Sequence, residues 1–546
     1  MSNKSRLNKT FSSSLKLKIL EYIDTPLSLG IALRKKYDTG ELPDVLPSDY
    51  CTAHAYQQDA QALALFSKSD DFSEKDLKAD ALAAWYASEE QCRETNTRFL
   101  LNLFKEKETR SVLFTAARYV QKVLGPYSFK PVDSILSPGS TELLSGLDAN
   151  LISKFRSKPE CTVHAYEKVN AVLRDHYLHY AISCGLYNRD KGDLRRTDSS
   201  LPIVKGDSLL FISKSWKALR GISPQPLGNL ILQRCDAYSI KKALREHGLD
   251  IDTAPLLHEE LALMSSVNDT YSTIDLAAAS DTISYQFVKA LMPTDWFDAL
   301  CVSRTRFTAV SGCDGVSYHQ LEKFSAMGNG YTFELETLLF YALCKAVIQL
   351  YGDKYNQASV FGDDIIISRS LAPILIRVLS DVGFKTNSTK TFVTGPFKES
   401  CGKDFYNGFP VRPVYFKEQP KNETSRAIYL SNRIFLLSRL NDPNGIIYDH
   451  RIENLRSRIT KAMRDREHVV HGPHSLGDCC FHSESYKIRY KNGIGSVVVL
   501  VKKSRHFRRY SNIHHQLVCL LYGIPSTGVI PRGSRFTYVK RSVVIV

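Results

Sequence analysis

Apolar and polar positions divide the chain into stretches of different period. Over residues 1–150 stretches such as 76–89 and 90–104 carry apolar side chains at helical intervals, which predicts a mostly helical segment. Residues 197–228 read as short apolar strands with basic residues, followed by Pro224 and Pro226, and so as strand and loop. Near Ser272 the pattern changes again. Ser-Thr-Ile-Asp275-Leu is a short apolar strand carrying a carboxylate at its end. Residues 281–291 place Ile283, Phe287, Ala290 and Leu291 on one face, a helix with Ser280 or Asp281 positioned to cap it. A loop, Ser325-Ala-Met-Gly328-Asn329-Gly330, leads into a long helix from about Thr332 to Leu350. Ala358-Ser-Val-Phe361 and Ile365-Ile-Ile-Ser are strands joined by the tight turn Gly362-Asp363-Asp364. A helix over 371–382 stops at Gly383, a natural left-handed cap, and Phe384 begins another extended piece. The order β-α, α, β-turn-β, α, β predicts a mixed α+β fold, with a split βαβ antiparallel sheet and helices packed on one face.

Composition narrows the setting. At 546 residues and 43% hydrophobic the chain can bury several cores, so it is expected to be multidomain or multi-lobed. No stretch approaches the roughly 20 apolar residues of a membrane span; the best, 338–350, is interrupted by Lys345 and Gln349. The basic, polar N-terminus is followed by no apolar signal core, so a cytosolic protein with no membrane partner is expected. Twelve scattered cysteines read as reduced thiols. His471, His474, Cys479, Cys480 and His482 are zinc-type ligands without zinc-type spacing, and a polar loop is expected there. No GxxxxGK[ST] phosphate loop is present, which argues against a P-loop ATPase. The net charge is +15, and from Arg451 onward 18 Lys and Arg stand against 5 Asp and Glu, an excess of 13. Such a basic end favours a polyanionic partner. Aromatics within Lys502, Lys503, Arg505, Phe507, Arg508, Arg509 and Tyr510 favour nucleic acid, because rings stack on bases.

Asp363-Asp364 changes the picture most. Adjacent carboxylates on a turn repel each other unless a cation neutralises them. Val360, Phe361, Ile365, Ile366 and Ile367 pin this pair to the edge of a buried sheet, whereas Asp70-Asp71 sits in a polar run and reads as wet surface. Asp275 ends a strand of the same kind; as a lone residue it also reads as a helix cap, and so does Asp281. Three carboxylates on neighbouring strand ends suit two Mg²⁺ ions, which take oxygen ligands and stabilise the attacking and leaving oxygens of a phosphoryl transfer.

These segments carry a resemblance. Asp275-Leu-Ala-Ala-Ala-Ser-Asp281 is similar to palm motif A of viral RNA-dependent RNA polymerases. Ser325-Ala-Met-Gly328-Asn329-Gly330-Tyr-Thr332-Phe-Glu-Leu-Glu336 resembles motif B, Phe361-Gly-Asp-Asp364 motif C, and Gly383-Phe-Lys-Thr-Asn-Ser-Thr-Lys390 motif D. The wording is closest to the replicase subunit of the small RNA bacteriophages, the leviviruses, over about residues 272–415. The later Phe397-Lys-Glu-Ser-Cys401-Gly and Phe405-Tyr fit that style as well. Upstream, Ile212-Ser-Lys214-Ser-Trp-Lys217-Ala-Leu-Arg220 resembles the basic fingers motif F, although Gln225-Pro226 stands where the family often has Glu-Pro.

The resemblance implies a right-hand polymerase. An N-terminal extension and fingers would span 1–150, fingers with motif F 151–260, the palm 261–395, and a thumb with a basic RNA-binding region 396–546. It implies RNA-directed RNA synthesis by two-metal nucleotidyl transfer, with Mg²⁺ and with Mn²⁺ able to substitute, and initiation without a primer. Asp275 and Asp363 would be the main metal ligands, with Asp364 contributing. Lys390 would serve the pyrophosphate leaving group. Lys214, Lys217 and Arg220 would meet the triphosphate. Asp281 would accept a hydrogen bond from the ribose 2′-hydroxyl. Gly328, Asn329 and Gly330 would form a mobile loop by the nascent base pair, followed by Thr332 and Glu336, the latter where many relatives carry Asn. Implied partners are RNA template and product, ribonucleoside triphosphates, the host elongation factors Tu and Ts and a ribosomal protein, in the cytoplasm of an infected bacterium. The rivals are a reverse transcriptase, which typically carries a bulky gate in place of Asp281, and a non-catalytic RNA-binding protein working through its basic end.

Overall fold

The structure, a computed structural model, describes residues 9–37, 42–68, 77–132, 136, 140–144, 151–190, 193–197, 200–215, 217–312, 315–417, 420, 422–439, 449–463, 466–504 and 536–544. Asp70, Asp71 and the basic-aromatic run from Arg505 to Tyr510 lie outside them.

Among the N-terminal helices, α1 (Leu77–Leu100) runs through most of both stretches of helical periodicity as one continuous element. No glycine or proline breaks it, and the acidic pair in its middle is accommodated. Glu89 turns inward to Lys323, and Glu90 pairs with Arg93 one turn on. After α2 (Lys107–Leu124), a hairpin of β1 (Leu210–Ser215) and β2 (Ala218–Ile222) carries the three predicted cations. Two helices follow, α3 (Leu227–Glu246) and α4 (Ala254–Asn268).

The central unit then runs β3 (Tyr271–Ala277), α5 (Ala279–Thr282), α6 (Tyr285–Leu291), α7 (Thr332–Tyr351), β4 (Ala358–Phe361), β5 (Asp364–Ser368), α8 (Ala372–Asp381) and β6 (Lys385–Thr386). Its sheet has the order β6-β3-β5-β4 and is antiparallel throughout. Ile274, Leu276, Ile365 and Ile367 alternate onto one face and join a core with Phe287, Leu335, Leu339, Leu375 and Phe384 from the helices. This is the expected split βαβ arrangement with helices on one face. The alternation of residues facing this core along β3 and β5 therefore fixes the register, because a one-residue slip would turn Asp275 into the core.

One predicted helix is corrected. Residues 281–291 form two short helices, broken at Ile283, whose backbone is extended and whose carbonyl accepts from the Phe324 N–H at 2.7 Å. The cap of α6 is Ser284, whose Oγ accepts from the Phe287 N–H, and neither Ser280 nor Asp281 plays that part. Val288 is buried with Ile283, Phe287 and Leu291, while Ala290 is exposed.

Beyond the sheet, β7 (Phe397–Ser400) and β8 (Lys403–Tyr406) form a hairpin that α4 anchors through His258. The His258 ring is fully buried between Ser400 Oγ (2.8 Å from Nδ1) and Ser359 Oγ (3.0 Å from Nε2). It thus ties strand β4 to the end of β7. Burial pushes its pKa down from 6.5 to about 4. The stability contributed by the neutral ring is therefore present above pH 6.5 and is lost as pH falls from 6.5 through 4. The loss amounts to about 3 kcal/mol by linkage. Urea unfolding between pH 7.5 and 4.5 is expected to show this decline. His258→Gln should be less stable at pH 7.5 yet have a flatter pH dependence; an unchanged slope would rule out His258 as the source.

The early and late parts of the chain share a second core. Leu15, Ile19 and Phe66 pack with Phe416, Ile428 and Leu430, the last two from α9 (Glu423–Leu437). Among the described residues no helix is long and apolar enough to cross a membrane.

Candidate active site

The register of β3 and β5 sets Asp364 directly opposite Asp275. The turn Gly362-Asp363 closes the β4–β5 hairpin beside them. Gly362 is required here: its φ is +61°, and a Cβ would lie 2.5 Å from the Phe333 ring of α7. Its N–H donates to Thr337 Oγ1 at 2.9 Å, so the turn is tied to the helix below it.

Each carboxylate has its own surroundings. Asp275 Oδ2 accepts from Asn387 Nδ2 at 2.9 Å, and Oδ1 lies 3.7 Å from Lys390 Nζ. Burial pushes the Asp275 carboxyl up, against Lys390 and Asn387, and Asp363 adds to the rise. Asp364 Oδ2 accepts from the Cys401 N–H at 3.2 Å, at the tip of the β7–β8 hairpin. Burial, then Asp363 and Asp275, pushes its carboxyl up to about 7. Lys390 also lies 3.5 Å from Glu399. Burial acts to lower its ammonium, but Glu399, Asp275 and Asp364 outweigh this and hold it above its ordinary value.

Among the described residues no three His, Cys, Asp or Glu side chains stand as a ready-made metal cage. That holds for the aspartate trio, whose oxygens are partly engaged by Asn387, Lys390 and the Cys401 amide. It holds equally for the His471–His482 cluster. There His471 and Gly472 pair in parallel with Phe481 and His482, and the His474 and His482 rings are 6.4 Å apart.

Beside the trio opens a cavity of about 800 Å³. Its lining includes Lys214, Lys217, Arg220 and Lys390, with Lys68, Arg412 and Lys417 from other parts of the chain. The hairpin geometry brings the three cations of the 210–222 segment to one side, with Arg220 on β2 opposite Ile212 on β1. Burial, and then the neighbouring cations Arg220 and Lys390, hold the Lys214 ammonium below its ordinary value, offset in part by Asp275 and Asp363. Lys217 reaches 3.4 Å from Asp44 at an exposed edge.

The remaining predicted residues cluster at the N-terminus of α7. Gly328 lies against Ser223, whose N–H donates to the Met327 carbonyl at 2.8 Å. The Gly330 N–H donates to Gln233 Oε1 at 2.9 Å, and the Tyr331 N–H to Asn329 Oδ1 at 3.0 Å. Thr332 Oγ1 donates to the Ala326 carbonyl at 3.0 Å. Glu336, one turn further and 3% exposed, is hydrogen-bonded to Ser280, and its Oε1 has no hydrogen-bond partner. Burial pushes its carboxyl up to about 8, so near neutral pH it is largely an uncharged acid able to donate. Asp281 is not a helix cap but an ion-pair partner, 2.8 Å from Lys323 Nζ.

The structure adds residues the sequence did not single out: Asn387, the Cys401 amide, Gln233 and Lys323. Only Asn387 leaves a local trace. Asn-Ser-Thr389 forms a turn in which the Thr389 N–H and Oγ1 both donate to Asn387 Oδ1. The others depend on contacts between distant segments.

Comparison with known proteins gives a consistent result. The family model for RNA replicase, beta-chain, matches residues 19–519. The RNA-directed RNA polymerase beta chain of Enterobacteria phage GA is 32% identical over 382 residues, covering 70% of this chain and 69% of that protein. The RNA-directed RNA polymerase subunit beta of Enterobacteria phage SP is 33% identical over 349 residues, 63% of this chain and 57% of the relative. For that of Escherichia virus Qbeta the values are 32%, 378 residues, 67% and 60%. The chain thus matches between 57% and 69% of the length of these relatives. Among solved structures, the BmCPV RNA-dependent RNA polymerase at elongation state aligns with a TM-score of 0.36 and 14% identity, over 47% of this chain and 26% of that one. With a match running from residue 19 to residue 519, this chain belongs to the RNA replicase beta-chain family.

Proposed function

We propose that this chain is an RNA-directed RNA polymerase that copies a single-stranded RNA genome by adding ribonucleotides at the site around Asp275, Asp363 and Asp364. The observation that carries the reading is the register pairing of Asp275 with Asp364, joined through Lys390 to a cavity that it lines with Lys214, Lys217 and Arg220. Burial first, and then the negative charge of Asp363 and Asp275, pushes the Asp364 carboxyl up to about 7, and that local surplus of carboxylates fits a site that receives cations. Asp275 and Asp363, with Asp364 contributing, would hold divalent ions, Mg²⁺ by ligand type. Two such ions, when bound, stabilise the attacking and leaving oxygens of an in-line phosphoryl transfer.

The chain's own residues supply the rest. Lys214, Lys217 and Arg220 bind the triphosphate as it enters the cavity. Lys390, beside Asp275 and held protonated by its carboxylate neighbours, delivers a proton or positive charge to the departing pyrophosphate. Asp281 accepts from the ribose 2′-hydroxyl. Gly328, Asn329, Gly330 and Thr332 set the floor beneath the nascent base pair, and Glu336 closes it from α7. In this reading the central sheet is the palm (261–395), residues 1–260 the extension and fingers, and 396–546 the thumb with a basic RNA-binding end. Primer-independent initiation, work in the cytoplasm of a bacterial host, and assembly with elongation factors Tu and Ts and a ribosomal protein belong to the same proposal.

The test is incorporation of labelled nucleotide on an RNA template by the full-length chain, with and without host extract. Synthesis is expected with ribonucleotides and Mg²⁺, to stop with EDTA, and to be far weaker with deoxyribonucleotides. Preferred use of deoxyribonucleotides would favour a reverse transcriptase, and no synthesis under either condition would reject the proposal.

A further inference from the structure

Lys323 is the most deeply buried charge near the site, and no motif accounts for it. Its side chain is 0% exposed, a placement a lysine takes only when paired. Nζ lies 2.8 Å from Asp281 Oδ1 and 3.2 Å from Glu89 Oε1 on α1, and it sits 4.8 Å from the centroid of the Trp85 ring. Burial acts to lower the ammonium, but Asp281 and Glu89 outweigh it and hold the group charged. The segment bearing Lys323 is fixed on both sides. Glu89 Oε2 accepts from the Glu322 N–H at 2.7 Å, and Asn96 Nδ2 donates to the Glu322 carbonyl at 3.0 Å. Ser284 bridges to Lys323 and Phe324 donates to Ile283, so the segment is laced to the break between α5 and α6. Asp281 itself is touched by α1 a second time, since Cys92 Sγ donates to its carbonyl at 3.5 Å.

These contacts leave the Asp281 carboxylate little freedom. Lys323 engages Oδ1, whereas Oδ2 has no hydrogen-bond partner among the described residues. Glu89, 3% exposed, prevents Lys323 from swinging away. We propose that Lys323, braced by Glu89, is a positioning residue for ribose selection: it fixes the Asp281 carboxylate so that its second oxygen faces the 2′-hydroxyl of the incoming nucleotide. A carboxylate pre-oriented in this way gains a hydrogen bond only with a ribonucleotide, and a site built around that bond penalises its absence. The inference rests on the reading of Asp281 as the ribose acceptor.

The experiment measures kcat/KM for a ribonucleotide and for its 2′-deoxy counterpart, on the same template and with the full-length chain and any accompanying host proteins. Asp281→Asn, run in parallel, tests the underlying reading. Lys323→Met is expected to lower the ribo-to-deoxy ratio at least about tenfold, through loss with the ribonucleotide and near-constant values with the deoxynucleotide. Should Lys323→Met fail to fold, because a buried and a partly buried carboxylate then face each other, Lys323→Met with Glu89→Gln removes the excess charge and is expected to give the same lowered ratio. Glu89→Gln alone keeps the Lys323–Asp281 pair and should hold the ratio within about threefold. A purely structural lysine predicts equal losses with both nucleotides, and that result overturns the proposal. If Asp281→Asn shifts the ratio while neither Lys323 variant does, Lys323 is not the positioning group. If Asp281→Asn leaves the ratio unchanged, the ribose reading itself fails and this inference falls with it.

Discussion

Asp363→Asn is expected to abolish nucleotide incorporation, by about 10³-fold or more, roughly 4 kcal/mol of transition-state stabilisation, while leaving the fold intact. The second half of that expectation is the sharper one. Asp363 is half-buried beside a carboxyl that burial and its two aspartate neighbours have pushed up to about 7. Removing its charge relieves repulsion, so the thermal midpoint in the absence of divalent ions should stay level or rise. Asp275→Asn should lose activity to a similar degree but gain no stability, because it weakens the contacts with Asn387 and Lys390. Activity, thermal unfolding and RNA binding by filter retention separate these outcomes. Full RNA binding with no synthesis is expected for both variants. Retained synthesis in Asp363→Asn would dissolve the site assignment, and retained biological function without synthesis would favour a non-catalytic RNA-binding protein.

The parts of this site that were legible in the sequence are those built from local pattern. The hairpin around Gly362-Asp363-Asp364 is flanked by apolar strands, and the helix beginning at Thr332 has a glycine-rich approach and a long apolar run, so both were readable within short windows. The break at Ile283 was not, because it is held by the N–H of Phe324, 41 residues away, and local periodicity carries no trace of such a bond. Lys323 escaped for a related reason. On sequence alone a lysine next to a glutamate reads as surface, and its burial depends on two distant carboxylates, Asp281 and Glu89 from the middle of α1. The Cys401 amide beside Asp364 belongs to this group, since the hairpin that presents it is held by His258 from α4.

Gly328→Ala is expected to be the most damaging change in the loop before α7, lowering activity about 10²-fold and stability by about 2–4 kcal/mol. The sequence reading took Gly328, Asn329 and Gly330 as one mobile loop, but the two glycines meet different surroundings. At Gly328 φ is +123°, and a Cβ would stand 2.3 Å from the Ser223 carbonyl oxygen and 2.9 Å from its carbon. Those are backbone atoms of the segment leading out of the β1–β2 hairpin, and the Ser223–Met327 hydrogen bond holds them there. They move only if the hairpin carrying Lys214 and Arg220 moves with them, so the substitution strains the loop and displaces the cations together. At Gly330 a Cβ would meet Gln233 Cβ and Leu230 Cδ1 at 3.0 Å; the leucine tip can turn aside, and α3 needs to give by only a few tenths of an ångström at Gln233. Gly330→Ala should therefore cost less than Gly328→Ala in both measures. Thermal unfolding and kcat/KM for a ribonucleotide decide the matter. Equal effects at the two positions would mean that the loop yields as a unit, and that the Ser223 contact does not couple it to the basic hairpin.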